Sequence, residues 1–255
     1  MLRWEGTMET ILTRSDWSRR LLFMTAVAGV MMIGMPQFIA AEKVQEKSQE
    51  QEAMAVINHA ISTWQNFMTD PDMSSFRTHV KGGQGVLIFP RLMKGAFVLG
   101  AEGGNGVLLV RNDRTGNWSE PVFYEISSAS FGLQAGMETS EAILVIQTVK
   151  GIESLLKNAI KLGTDVSAAL GPRGGGIEGV ISKSIGMDFV TYARAKGIYA
   201  GVSIEGASIG TRDDLNRAYY GSAVTPSDIV LERNVKSHPQ SQVLHQAVVK
   251  GTIGG

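Results

Sequence analysis

The sequence predicts an α+β fold whose antiparallel, β-rich core curls like a barrel or a sandwich and carries two or three flanking helices. Short apolar runs bounded by glycine recur along the 255-residue chain, and its 30 glycines exceed the average share. Short polar segments separate many of these runs, which favours hairpins over parallel crossover units. A few segments show helical periodicity instead and supply the flanking helices.

The first 41 residues resemble an export signal. The pair Arg19-Arg20 precedes an apolar run, 21–35, that is too short to span a bilayer, and Pro36 follows it. Residues 1–41 are therefore predicted to be a signal peptide. An uncleaved anchor is the alternative, and the arginine pair leaves the twin-arginine and general secretion routes both open. The sequence contains no cysteine, which excludes disulfides and a lipidated cysteine.

The predicted folded domain extends from residue 53 to residue 233. Before it, residues 42–52 are a charged, glutamine-rich spacer. Its first segment, Met54–Met68, carries apolar residues at steps of three and four, which predicts an amphipathic helix. A shorter helix is predicted at Ser75–Val80. After the domain, residues 234–255 are predicted to be a loosely ordered tail.

Strands account for most of the predicted domain. Gly103–Gly106 is predicted to form a tight turn between strands Ala96–Ala101 and Gly106–Val110, because glycine tolerates positive φ. A second, polar turn is predicted at Asn112–Asn117. The other predicted strands are Val86–Phe89, Val122–Ile126, Phe131–Glu138, Ala142–Thr148, Val166–Leu170, Glu178–Ser182, Asp188–Ala193 and Ile198–Ile204.

Two further helices are predicted among these strands. Lys150–Leu162 has one apolar face, and Gly163 follows it as a candidate C-cap. Thr211–Asp214 has the pattern of a capping box and is predicted to start a helix that ends at Tyr220.

Several sequence blocks resemble one known family. The stretch GAFVLGAEGGNGVLLVRNDRTGNWSEP, Gly95–Pro121, is similar to the signature of the SYLF family, a lipid-binding domain of eukaryotic membrane-traffic and actin-patch proteins and of exported bacterial proteins. The resemblance extends over roughly residues 53–233. Its further blocks are Phe131–Val145, Leu162–Gly174, Tyr192–Ile209, Arg212–Gly221 and Ser227–Leu231.

The resemblance implies a non-enzymatic function, namely binding of anionic phospholipid at a membrane surface or of a lipid in the β core. An envelope structural or protein-interaction module is the alternative. Eukaryotic members associate with phosphoinositides and actin, but an export signal would remove the chain from the cytosol. Actin is therefore not expected as a partner, and a periplasmic or envelope location in a bacterium is predicted.

Net charge gives no indication of a nucleic-acid partner, because 24 basic residues balance 24 acidic ones. No cofactor and no metal are expected, since the four histidines are widely separated.

The candidate lipid-binding residues are apolar side chains at the end of the first helix and two groups of cations. The apolar side chains either pack on the sheet as core or meet lipid at the headgroup level. For the cations, solvated surface charge is the alternative. The set is Trp64, Phe67, Met68, Lys81, Arg91, Lys94, Arg173, Arg194 and Lys196.

Two short motifs suggest catalysis or nucleotide binding but fit those functions poorly. Gly174–Gly179 matches G-x-G-x-x-G, yet a strand is predicted after it where a dinucleotide site needs a helix. Gly206–Gly210 matches G-x-S-x-G, which makes a serine hydrolase using Ser208 a remote alternative. Its base would be His238 or His245, in the predicted tail. The SYLF resemblance implies no catalytic serine at this position.

Overall fold

The computed structural model describes residues 43–95, 100–130, 138–157, 159–171, 186–195, 198–199 and 206–253. The chain divides into two units, Met1–Ser48 and Gln49–Gly255. In the first unit, residues 43–48 are described, and they are helical. Among the described helices, none is both long enough and apolar enough to cross a bilayer. The predicted signal peptide lies outside the described residues.

A mixed sheet forms the second unit, and nine of its strands are described. Their order is β5-β9-β3-β2-β1-β4-β7-β6, with β8 paired to β7, and only β6 and β7 run parallel. The predicted α+β class with a curled, largely antiparallel sheet is confirmed. The strands are β1 Gly85–Gly95, β2 Gly100–Val110, β3 Val122–Ser130, β4 Glu138–Ile146, β5 Ile160–Lys161, β6 Ala168–Leu170, β7 Phe189–Ala195, β8 Ile198–Tyr199 and β9 Ser208–Thr211.

Five longer helices flank the sheet in the described ranges, four at segments where the sequence predicts a helix and one in the predicted tail. A 3₁₀ turn at Pro71–Met73 and a π-helical turn at Asp228–Glu232 accompany them. The helices are α1, residues 43–69, α2 Ser74–Gly82, α3 Val149–Lys157, α4 Asp213–Tyr220 and α5 Pro239–Ile253.

Apolar side chains cover both faces of the sheet, because successive residues of a strand point to opposite faces. On β1, Val86 and Ile88 belong to a cluster with α1, α2, α4 and α5, here called the α1 core. Leu87 and Phe89 point the other way, into a cluster with α3 and the π-helical turn, here called the α3 core. Both faces of the central strands are therefore buried.

The predicted turn at Gly103–Gly106 is wrong, because β2 continues through it: β2 pairs with β3 without a break, while its register with β1 shifts at a bulge. The glycines permit close approach of neighbouring strands instead. A Cβ on Gly104 would overlap the carbonyl oxygen of Arg91, and one on Gly106 would lie 2.5 Å from the carbonyl oxygen of Ile88. Pro90 and Arg91 lie in the bulge of β1 that creates this approach.

Two predicted helix boundaries also differ from the structure. α3 ends at Lys157, and the chain then enters β5, so Gly163 is not its C-cap; it has φ +81° in the turn after β5. Thr211 ends β9, and α4 begins at Asp213 without a side-chain cap from Arg212, so the predicted capping box does not form.

The segment predicted as a loose tail contains α5. Leu244 and Val248 of this helix are buried in the α1 core, one turn apart. The indole Nε1 of Trp64 donates a hydrogen bond of 2.9 Å to the carbonyl oxygen of Ala247. Gly251 lies directly against Trp64, where a Cβ would be 3.1 Å from the indole. The folded domain therefore extends past residue 233.

A buried carboxylate connects the start of α3 to the loops before β6 and β7. Asp188 is 4% exposed. It accepts hydrogen bonds from the Thr148 hydroxyl at 2.7 Å and from the backbone N–H and hydroxyl of Ser167 at 2.9 Å, and Lys150 Nζ lies 3.3 Å away. Burial opposes ionisation of Asp188, but these hydrogen bonds outweigh it and hold its pKa below the usual value.

Because the folded-state pKa of Asp188 is depressed, its stabilising contribution is present above the unfolded-state pKa of about 3.9 and is lost as the pH falls through the folded value. Asp188→Asn is expected to lower the free energy of unfolding by about 1–3 kcal/mol at pH 7 and by much less near pH 3. Thermal unfolding across this pH range measures the difference. Glu153→Gln, at an exposed carboxylate of α3, is the control. An equal loss at both pH values would contradict the assignment.

Candidate functional site

The apolar residues chosen as lipid contacts lie mainly inside the α1 core. Trp64 is 1% exposed, and Phe67 is fully buried. Both rings pack edge-on against Phe76, with centroids 5.6 and 5.5 Å apart. Met68 is partly buried against the same core. This packing favours the core alternative for the helix over direct contact of Trp64 and Phe67 with lipid.

Arg194 is surrounded by carboxylates and an aromatic ring. Its Nη1 lies 3.5 Å from Glu141 Oε1, its Nε lies 3.9 Å from Asp70 Oδ2, and its guanidinium lies 5.7 Å from the ring centre of Phe67. Thr63 also donates a hydrogen bond of 2.7 Å to Glu141. The side chain of Arg194 is 16% exposed. An external phosphate would have to compete with two carboxylates for this cation.

The second half of β1 presents a different arrangement. Arg91 and Met93 are exposed, whereas Leu92 between them is buried in the α3 core. Met93 is 48% exposed, although it pairs with strands on both sides, opposite Gly103 of β2 and Thr139 of β4. Arg91 and Met93 are called the β1 surface below.

The remaining candidate cations lie in varied surroundings. The backbone of Lys94 follows the β1 surface, and its cross-strand neighbours in register are Glu102 and Glu138. Lys81 is exposed at the end of α2. Arg173 and Lys196 lie outside the described residues, as does the whole Gly174–Gly179 motif.

In the part of the chain that the structure describes, the candidate elements of a serine hydrolase do not come together around Ser208. This residue lies in β9, where it pairs with Ser127 and Lys161. His245 Nε2 is 2.7 Å from the carbonyl oxygen of Ser119, and the ring of His238 lies against Tyr219. Within the described ranges, neither histidine contacts Ser208, and no cluster of His, Asp or Glu could hold a metal ion.

A groove that sequence reasoning missed lies between the turn after β2 and the last turns of α5. Its cavity has a volume of about 280 Å³. It is called the turn–helix groove below. Its walls come from segments far apart in the chain, so local sequence patterns give no signal for it. The lining residues are Arg111, Asn112, Asp113, Gly116, Val249 and Thr252.

Comparison with known proteins identifies related sequences. The model of the Ysc84 family, described as "Las17-binding protein actin regulator", matches residues 127–250. SH3 domain-containing YSC84-like protein 1 of Bos taurus is 29% identical over 168 residues, which are 64% of this chain and 49% of the relative. Protein YSC84 of Saccharomyces cerevisiae is 29% identical over 201 residues, 78% of this chain and 42% of the relative.

LAS seventeen-binding protein 3, also of Saccharomyces cerevisiae, is 28% identical over 200 residues, 76% of this chain and 42% of the relative. The matched region thus spans less than half the length of these relatives.

These findings correct two expectations from the sequence. The relatives come from yeast and animals, which contradicts the assumed bacterial source and the predicted periplasmic or envelope location. The family description names actin regulation, so the expectation that actin is not a partner is also wrong. Both expectations depended on the apolar run 21–35, which lies outside the described residues.

Proposed function

Because this chain carries a domain of the SYLF (Ysc84) family, we propose that it is a non-enzymatic binding domain of actin regulation that attaches to anionic phospholipid surfaces. The names of its relatives describe binding and regulation, which supports a function without catalysis. Both faces of the sheet are filled by packed side chains, which supports lipid binding at the surface over a lipid carried in the core.

The β1 surface is the observation that carries the lipid proposal. An exposed methionine beside an exposed arginine combines apolar area that can enter the headgroup region with a charge that attracts anionic lipid. Each cation near such a surface contributes roughly 1 kcal/mol, so we expect weak, reversible and salt-sensitive binding. Met93 and Arg91 replace the buried Trp64 and Phe67 as the residues proposed to contact lipid.

We expect the full chain to sediment with phosphatidylcholine vesicles in proportion to their phosphatidylglycerol content. Met93→Asp and Arg91→Glu are each expected to weaken this binding by about fivefold or more, because one removes inserted apolar area and the other reverses an attractive charge. Vesicle co-sedimentation at low and high salt measures the effect.

Two variants with matched changes elsewhere serve as controls. Val243→Asp introduces the same charge at a 51% exposed apolar residue of α5, and Lys161→Glu reverses an exposed cation on β5. The lipid proposal fails if no vesicle composition sediments the chain at low salt, or if the controls lose as much binding as the β1 variants.

Binding to actin filaments is a second candidate function, favoured by the description of the matching family. Sedimentation of the same variants with actin filaments, without vesicles, distinguishes the two candidates. Loss of vesicle binding alone in Met93→Asp assigns the β1 surface to lipid. Loss of filament binding alone would assign it to a protein partner instead.

A further inference from the structure

The turn–helix groove has one wall that is held rigidly by hydrogen bonds. Asn112 Oδ1 accepts from the backbone N–H groups of Arg114 and Thr115, each at 3.0 Å. The N–H of Gly116 donates to the Asn112 carbonyl oxygen at 2.8 Å, and Gly116 adopts φ +72°, which favours glycine. The turn therefore has its shape before any ligand arrives.

The only carboxylate among the lining residues already has partners. The Gln84 side chain, oriented with its amide nitrogen toward Asp113, donates to the two carboxylate oxygens at 2.8 and 3.0 Å. This interaction fixes the turn to the start of β1. It also reduces the repulsion that Asp113 would exert on an anionic ligand.

Arg111 supplies the positively charged group of the groove. Its Nη1 donates to the Lys81 carbonyl oxygen at 3.0 Å, and its backbone N–H donates to the Gln84 carbonyl oxygen at 2.8 Å. A guanidinium has five N–H donors in a planar fork, so the bond to Lys81 positions the group and leaves donors for a ligand. A carboxylate matches this fork in geometry and charge.

The opposite wall is a short face of α5. Val249 and Thr252 lie three residues apart and therefore on one side of the helix. The Thr252 hydroxyl donates to the carbonyl oxygens of Val248 and Val249, which leaves its oxygen as an acceptor for a ligand N–H. The wall thus offers an apolar contact beside a hydrogen-bond acceptor.

Further cations lie on the segments that form the groove, although the whole chain is neutral. Arg114 is exposed on the turn, and Lys250 is exposed on α5 between the two lining residues of that helix. Arg233 adds a third cation, with its Nη2 3.5 Å from the Asn117 carbonyl oxygen. These side chains favour a partner that carries several negative charges.

We propose that the turn–helix groove binds an acidic segment of a protein partner. An acidic side chain of that segment pairs with Arg111, a neighbouring apolar side chain contacts Val249, and its backbone N–H groups reach Thr252. A concave site that combines a guanidinium, an apolar wall and a hydrogen-bond acceptor suits such a segment better than a flat layer of phosphate groups. The proposal does not depend on lipid binding by the β1 surface.

Fluorescence anisotropy tests the proposal with the full chain and a short labelled peptide that alternates glutamate and leucine. The same peptide with glutamine in place of glutamate is the matched ligand control. Arg114→Glu and Arg111→Gln are each expected to raise the Kd for the acidic peptide by about fivefold or more. The first reverses an attractive charge beside the groove, and the second removes the charge-assisted contact. Added salt is expected to weaken binding as well.

Control variants distinguish binding at the groove from the effect of changing the net charge of the protein. Lys161→Glu, with the same change of charge on β5, and Met93→Asp, on the β1 surface, are expected to leave peptide binding unchanged. If Arg111→Gln unfolds the protein, Arg114→Glu still tests peptide binding, because Arg114 is exposed on the turn and its replacement is expected to leave the fold intact.

Three results would overturn the proposal. One is equal binding of the glutamine peptide, and another is no binding of the acidic peptide at low salt. The third is loss of vesicle binding in Arg114→Glu with peptide binding unchanged, which would make the groove a membrane contact.

Discussion

Replacing Trp64 with alanine is expected to lower the free energy of unfolding by about 3–5 kcal/mol, the usual cost of removing a large buried aromatic side chain. The indole is 1% exposed, packs against Phe76 and donates a hydrogen bond to the backbone of α5. Its removal leaves a cavity and takes one hydrogen bond from the carbonyl oxygen of Ala247. Urea titration measures the free energy, and the Tm is expected to fall by roughly 6–20 °C.

Two further variants separate the causes of that loss. Trp64→Phe keeps most of the ring but removes the N–H, so a smaller loss of about 1–2 kcal/mol is expected. Val243→Ala shortens an exposed side chain of α5 and is expected to leave the Tm unchanged. An unchanged Tm in Trp64→Ala would show that the ring is not core, and the lipid-facing alternative for α1 would return.

Replacing Gly104 with alanine is expected to destabilise the protein by roughly 1–3 kcal/mol or more, the range for overpacking a close-packed interior. The new methyl group would overlap the Arg91 carbonyl oxygen in the bulge of β1. Because that oxygen belongs to the backbone, the overlap can be relieved only if β1 or β2 shifts. Because Arg91 belongs to the β1 surface, the same variant is expected to alter vesicle binding. Thermal unfolding and vesicle co-sedimentation measure the two effects.

The matched control is Gly82→Ala, since no atom lies within 4 Å of a Cβ at that position. Gly82 ends α2 and has no positive φ, so alanine there is expected to leave stability unchanged or slightly raised. Equal destabilisation by the two variants would mean that steric overlap at the bulge is not the cause.

The sequence predicted the fold class well because glycine-bounded apolar runs and the period of α1 are local signals. It failed at Gly103–Gly106, where the same glycines suit a reversal of the chain or a close approach of two strands. Only the unbroken pairing of β2 with β3 decides between them. It also missed α5, whose apolar residues are spread around the helix and show no clear face.

The candidate site was harder to predict because its determinants are contacts between distant residues. Arg194 looked like a free cation, but the fold brings Glu141 and Asp70 next to it. Trp64 looked suited to a membrane interface until α5 was found to cover it. Met93 is exposed because no described helix covers that part of the sheet. The sequence of β1 alone does not indicate where the helices pack.

The contact between Trp64 and Ala247 joins segments 183 positions apart. A ribosome makes α1 long before α5, so the apolar face of α1 stays uncovered while the strands between the two helices are synthesised. We therefore expect the nascent chain to expose the apolar face of α1, and chaperones to bind it, until α5 emerges. Pausing synthesis just before residue 239, where α5 begins, would prolong the time for which the apolar face of α1 is exposed.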